Sequence, residues 1–104
     1  MTDSSAIVVR DNRTKQRYEA DVGDELAVAV YALDGDTITF LHTEVPEAAE
    51  GKGIARALVR FALDAARARS LRVIPRCPYV TTWIKRHRDY HDLVHPDWRV
   101  FLER

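Results

Sequence analysis

Residues Ile38–Arg69, reading ITFLHTEV PEAAEGKGIA RALVRFALDAARAR, decide how this chain folds. The apolar stretch Thr37–Val45 reads as a strand. It runs through Glu50-Gly51-Lys52-Gly53-Ile54-Ala55 into a segment whose apolar residues recur as Ile54, Leu58, Phe61, Ala62 and Ala65. Val59, Leu63 and Ala66 widen that stripe, while Arg56, Arg60, Asp64 and Arg67 lie off it, which is the periodicity of an amphipathic helix. Ser70 ends the helix, where a glycine is commoner. Strand, glycine loop and helix N-terminus in that order are suited to holding a phosphate. The glycines let backbone turn tightly and approach a ligand. The first helical turn has N–H groups without intrahelical partners, and its dipole favours an anion. Lys52 adds a mobile positive charge. No Ser or Thr follows Lys52, so this is not a magnesium-holding P-loop. The strands before it are antiparallel, which does not suit a dinucleotide-binding βαβ unit.

Working outward, Ala6–Arg10 reads as a strand, Asp11–Thr14 as a turn, and Arg17–Val22 as the returning strand. Gly23-Asp24-Glu25 is another turn, Leu26–Leu33 suits a central strand, and Asp34-Gly35-Asp36 carries a hairpin signal before the fourth strand. Downstream, Leu71–Ile74 is a short strand stopped by Pro75, expected to lie parallel to the strand before the helix. Pro78 opens a second helix, Pro78–Arg88, with Val80, Trp83, Ile84 and His87 along one side. Asp89–Val94 reads as a broken turn or short helix. The expected architecture is one α+β domain: an antiparallel four-strand meander, a helix, a parallel strand and a helix. Residues 1–5 are expected to fray, 6–94 to form the domain, and 95–104, with Trp98, Val100, Phe101 and Leu102, to pack on the domain or on a partner.

The chain has 104 residues, 46% of them apolar, enough for one folded core. Lys+Arg and Asp+Glu both number 16. That balance argues against a protein that binds nucleic acid by neutralising phosphates. The arginines concentrate in the second half, in a pattern that suits a small polyanionic ligand. One cysteine, Cys77, excludes an internal disulfide and a cysteine zinc site. No apolar run reaches the length of a membrane span and no signal pattern opens the chain, so a cytoplasmic protein without membrane association is the expectation.

The loop resembles the first motif of the GCN5-related N-acetyltransferases (GNAT), Gln/Arg-x-x-Gly-x-Gly/Ala, here at Glu50, Gly53 and Ala55. Glu50 stands where that family has Gln or Arg. The resemblance is closer to small YjdJ-type domains, through His42–Pro46, Gly51–Ala55, Ala57-Leu58-Val59, Val73–Val80 and Ile84 to Tyr90. It covers about residues 6–94. It implies a GNAT-like fold using acetyl-CoA as cosubstrate, without a metal, to acetylate an amine on a small molecule or a protein lysine. It implies that the Val45 N–H faces the thioester oxygen and that the fourth and fifth strands splay to admit the pantetheine arm. The coenzyme-binding set is then Val45, Glu50, Gly51, Lys52, Gly53, Ile54, Ala55, Cys77 and Tyr79. Larger members carry two helices after the first strand and two further strands at the C-terminus, which shape the acceptor site. Without them, the acceptor side is expected to be open or completed by a second subunit, in a monomer or homodimer. A coenzyme A or acyl-CoA-binding module with little catalysis is the alternative on the same resemblance.

Acetyl transfer needs a base for the amine, a donor for the thioester oxygen and stabilisation of the leaving thiolate. His42 and Glu44 are two apart on a strand and face the same side, and an imidazole is a natural base near neutral pH. They are equally the polar residues of a solvated face. Cys77, between Arg76 and Pro78 at a helix start, can accept the acetyl group, line the thioester pocket, or pack as a small apolar group. Tyr79 and Tyr90 are candidates to protonate the thiolate. His87, His91 and His95 have the spacing of one helical face, but Arg88, Asp89 and Pro96 interrupt the segment, so no metal site is assigned.

Overall fold

The computed structural model describes residues 7–103. The expectations for residues 1–6 and Arg104, and for the Phe101 side chain, lie outside the described residues. The strands are β1 Val9–Asn12, β2 Arg17–Val22, β3 Glu25–Asp34, β4 Thr37–Glu44 and β5 Arg72–Pro75, in the spatial order β1-β2-β3-β4-β5. The first four pair antiparallel, and β5 pairs parallel to β4. Helix α1, Ile54–Ala68, makes the crossover, and α2, Pro78–Arg86, follows β5. This is the α+β meander, helix, strand, helix expected from the periodicities.

Paired residues share a face of the sheet, so the register separates two faces. Tyr31 opposite Phe40, Tyr18 opposite Ala29, and Ala20 opposite Ala27 lie on one face and are buried. Leu58, Ala62, Leu63 and Ala66 of α1 join them in the core. The alanines let α1 come close, and the Tyr18 ring lies 5.3 Å from Tyr31 and 5.8 Å from Phe61. The other face carries Arg10, Arg17, Glu19, Val28 and Val30, with His42 and Glu44 opposite the two valines. Val80, Trp83 and Ile84 of α2 belong to the same core as α1, so both helices cover one face.

Several boundaries differ from expectation: β1 begins at Val9, β3 runs Glu25–Asp34, β4 ends at Glu44 and β5 begins at Arg72, and three further shifts have a visible setting. Strand β1 runs to Asn12, and the turn falls at residues 13–16. The Asx side chains are engaged across the sheet: the Tyr31 hydroxyl donates to Asp11 at 2.5 Å, and Asn12 donates to Glu19 at 3.0 Å. Asn12 also accepts the Lys15 N–H at 3.1 Å, so its turn chemistry acts from the strand end. Helix α2 stops at Arg86, two residues early. The His87 N–H bonds the Ile84 carbonyl at 3.0 Å, and the imidazoles of His87 and His91 take the Trp83 and Ile84 carbonyls at 2.7 and 2.8 Å. Those bonds satisfy the last turn and turn the chain into a 3₁₀ segment, Arg88–Leu93. Strand β5 includes Pro75, opposite Phe40.

Helix α1 ends as expected. Ser70 takes the left-handed conformation, φ 57°, and the Leu71 N–H reaches back to Ala66 at 2.9 Å. The C-terminal segment Pro96–Glu103 is a 3₁₀ turn whose Trp98 and Leu102 pack half-buried on the core. The His95 N–H bonding Val73 at 2.8 Å ties it to the outer edge of β5.

Candidate functional site

Strands β4 and β5 stay paired only from Thr37–Phe40 against Arg72–Pro75. The Phe40 carbonyl then accepts two amides, Arg76 at 3.0 Å and Cys77 at 2.9 Å. Beyond it the strands part. Pro78 starts α2 at once, and the Thr81 hydroxyl, donating to Pro75 at 2.8 Å and within 3.0 Å of the Cys77 carbonyl, pins that start beside the end of β5. The half-strand Leu41–Glu44 is left without a neighbour on that side. One side-chain contact crosses the slot, Thr43 Oγ1 to Cys77 Sγ at 3.4 Å.

A bulge acts at the same place. Val30 pairs with His42 and Tyr31 with Phe40, so Leu41 is the extra residue on β4. Without it His42 would share the face of Phe40 and point at α1. With it, His42 and Glu44 turn to the helix-free face, and Thr43, opposite Ala29, turns toward the helices. His42 Nε2 and Glu44 Oε2 are 3.2 Å apart, with side chains 54% and 69% exposed.

The loop after β4 closes stepwise. Its 3₁₀ turn, Glu47–Ala49, bonds Ala49 to Pro46 at 2.8 Å, and the Lys52 N–H reaches Ala49 at 3.3 Å. Gly51 and Gly53 take φ 82° and 80°, a region other residues rarely adopt. Gly53 caps α1 with no side-chain bond, so the first-turn amides are left for a ligand or water. The Arg56 guanidinium folds back over the cap: a Cβ on Gly53 would stand 2.9 Å from its Nη2. Gly53 is therefore required by its conformation, and a Cβ there would push the flexible Arg56 guanidinium aside.

Between the loop and the slot lies a cavity of about 470 Å³. Of the coenzyme-binding residues expected from the sequence, Val45, Glu50, Gly51, Gly53, Ile54, Ala55 and Tyr79 line it. Lys52 is exposed and off the lining, and Cys77, 2% exposed, contacts Thr43 at the slot. Thr43, Ala49 and Arg56 also line the cavity and were not anticipated. Strand alternation around His42 and Glu44 pointed to Thr43. The place of Arg56 in the first turn pointed to it as well, but both signals need the bulge and the loop conformation to be read.

Other candidates are spoken for. The Tyr90 hydroxyl donates to Asp64 at 2.6 Å, and burial, then that bond, push its pKa up, so Tyr90 locks the Arg88–Leu93 segment to α1 and is not among the residues lining the cavity. Trp83 is buried, with the His87 ring stacked at 3.8 Å and the Tyr90 ring edge-on at 5.1 Å. The three histidines do not share a helical face. His95 Nδ1 accepts the Asp97 N–H at 3.2 Å, apart from the other two. No helix among the described residues is long and apolar enough to cross a membrane.

Residues 17–93 match the family described as GCN5-related N-acetyl-transferase. The chain belongs to that family. It is similar to Protein NATD1 of Xenopus tropicalis, 32% identical over 88 residues, covering 82% of this chain and 81% of the relative. Protein NATD1 of Bos taurus is 42% identical over 60 residues, 57% of this chain and 53% of the relative. That of Mus musculus is 33% identical over 82 residues, 76% and 74% of the two.

Proposed function

We propose that this protein is an acetyl-CoA-dependent N-acetyltransferase that acetylates an amine. The observation that carries the reading is the parting of β4 from β5 beside an uncapped, glycine-entered helix. The donor set suits a coenzyme A pyrophosphate: the first-turn amides of α1, the Arg56 guanidinium on the cavity wall, and the mobile Lys52 ammonium. Backbone donors do not depend on the side chain at position 50, so Glu50, exposed at the rim, is compatible with the anion. Bound acetyl-CoA supplies an acetyl group already activated as a thioester. The unpaired edge of Leu41–Glu44 offers its backbone groups to the pantetheine arm, and the Val45 N–H serves the acetyl oxygen. His42, paired with Glu44, takes the proton the amine must lose. Thr43 and Tyr79 are the hydroxyls on the cavity wall available to the leaving thiolate. Burial of Cys77 in the core against Thr43, off the cavity lining, favours a packing role over that of an acetyl carrier.

The first test is a thermal-shift titration with coenzyme A, acetyl-CoA and ATP. Stabilisation by the two coenzymes and not by ATP is expected; no shift with either coenzyme sinks the proposal. Release of coenzyme A thiol should then depend on added amine. Steady thioester hydrolysis indifferent to amines would leave a coenzyme A-binding module instead. Mass spectrometry under turnover should find Cys77 free of acetyl.

A further inference from the structure

A second cavity, of about 440 Å³, adjoins the one beside the loop, and Gly53 and Arg56 line both. It follows the outer face of α1 past the cap. Arg56, Arg60 and Asp64 are spaced by four there, so they stack along one side of the helix. By the helical rise they span roughly 12 Å. Charge changes sign along that line. The two guanidiniums stand nearer the cap, and Asp64 stands at the far end with Asp89. The Tyr90 hydroxyl, bonded to Asp64, marks that end. Burial first, then Asp64, raise the Tyr90 pKa, and Arg60 opposes them, so the Arg60 guanidinium lies on the Tyr90 side of α1. The wall contributed by α2 and the residue after it is aromatic. Trp83 is 7% exposed, and the exposed His87 ring lies on it, 3.8 Å away and 10° from parallel. His87 Nδ1 donates to the Trp83 carbonyl at 2.7 Å, which fixes the imidazole in place. The Trp83 indole N–H is buried with no acceptor among the described residues, a group that a bound water or ligand ordinarily completes.

We propose that this second cavity holds the nucleotide end of coenzyme A, with Arg60 reading its 3′-phosphate and His87 stacking its adenine. The proposal rests on the acetyl-CoA reading above and names residues that set its selectivity. Guanidiniums, aromatic wall and carboxylates together complement the three parts of an adenosine 3′-phosphate. Arg56 is shared with the cavity beside the cap, so a ribose leaving the pyrophosphate passes toward Arg60. Arg60 stands roughly 10 Å past the cap along the axis, by the helical rise. Helical side chains lean toward the N-terminus, so its guanidinium comes back to within a ribose's length of the first-turn amides. There it pairs with two oxygens of a phosphate at once. The outer face of the His87 ring, held rigid by the indole beneath it, is a platform for a purine. At the far end Asp64 accepts the Tyr90 hydroxyl on Oδ1, and Oδ2 remains to accept from a donor such as the exocyclic amine of adenine. A phosphate would be repelled by Asp64 and Asp89, so the order of charges also sets the direction in which the ligand lies. The volume is in the usual range of small-ligand pockets.

Calorimetric titration of the full chain compares coenzyme A with dephospho-coenzyme A, which lacks the 3′-phosphate. Coenzyme A is expected to bind about tenfold or more tighter, the range of a charge-assisted phosphate contact. Arg60→Ala should bring coenzyme A down to the level of dephospho-coenzyme A and leave the affinity for the latter as it was. A merely structural loss would lower both. Arg60→Gln serves if Arg60→Ala does not fold. His87→Ala should weaken both ligands by the same factor, about fivefold or more, and His87→Phe, which keeps an aromatic face, should restore most of it. Equal affinity of the unaltered protein for the two ligands, or an Arg60 loss shared equally between them, overturns the proposal and leaves the acetyltransferase reading intact. Unchanged affinities in His87→Ala overturn the placement of the adenine. Failure of both ligands to bind the unaltered protein overturns the proposal and the acetyltransferase reading together.

Discussion

The two halves of β4 differ in what each is free to do. Thr37–Phe40 is paired on both edges, and its inward residues Ile38 and Phe40 are 0% and 2% exposed. Leu41–Glu44 is paired on one edge only, and its side chains divide between a cavity and an open face. Both halves hydrogen-bond to β3, so the difference comes from one extra residue and from a neighbour that turns away. The closed half is where stability is concentrated. The open half has unpaired backbone and exposed side chains that little of the fold depends on, which is where binding and catalytic groups can stand.

Substitutions that act on one half and spare the other test that division. Phe40→Ala should cost about 3–5 kcal/mol in urea unfolding, since a buried aromatic leaves a cavity between sheet and helices. A loss under about 1 kcal/mol would mean that the closed half does not carry the core. His42→Ala in the open half should lower amine-dependent turnover by about a hundredfold or more and leave stability within about 0.5 kcal/mol. Loss of both together would show His42 to be structural. Gly53→Val, at the cap that faces the cavity, should weaken coenzyme A binding by about tenfold or more, because a branched Cβ is strained at φ 80° and displaces the Arg56 guanidinium from the cavity wall. Unchanged affinity in calorimetry would place the anion elsewhere.

Glu19 sharpens the comparison from the open face. Its hydrogen bond from Arg17, with burial opposing, holds its pKa below the ordinary glutamate range. The folded state therefore binds that proton less readily than the unfolded chain. The stabilisation is present above the ordinary glutamate range and is lost as pH falls through the lowered folded value. Glu19→Gln should cost about 1 kcal/mol near neutral pH and flatten the acid limb of the stability–pH curve. An unchanged acid limb would remove Glu19 from the account of how this face stands in water.

Much of the fold was legible along the chain. Strand β2 and helix α1 are local periodicities, and the parallel strand after α1 follows from the handedness of crossovers. The left-handed stop at Ser70 and the glycine loop were also readable, because backbone conformation at such positions is set by few residues. The β1 turn and the end of α2 were misplaced for one reason: Asn12, His87 and His91 make hydrogen bonds whose partners depend on tertiary contacts or on the neighbouring turn. Most of the lining of the cavity beside the α1 cap lies on residues singled out along the chain, since its wall is largely one contiguous loop. Thr43 and Arg56 were missed because their roles depend on a bulge and on a side chain folded back over a cap.

The sequence by itself determined the order of elements, the glycine loop and the family, because these rest on neighbours a few residues apart. The tertiary structure alone decided which face each residue of Leu41–Glu44 serves. A strand has a two-residue period, and one unpaired residue, visible only in the register against β3, sends His42 and Glu44 to the open face and Thr43 to the cavity.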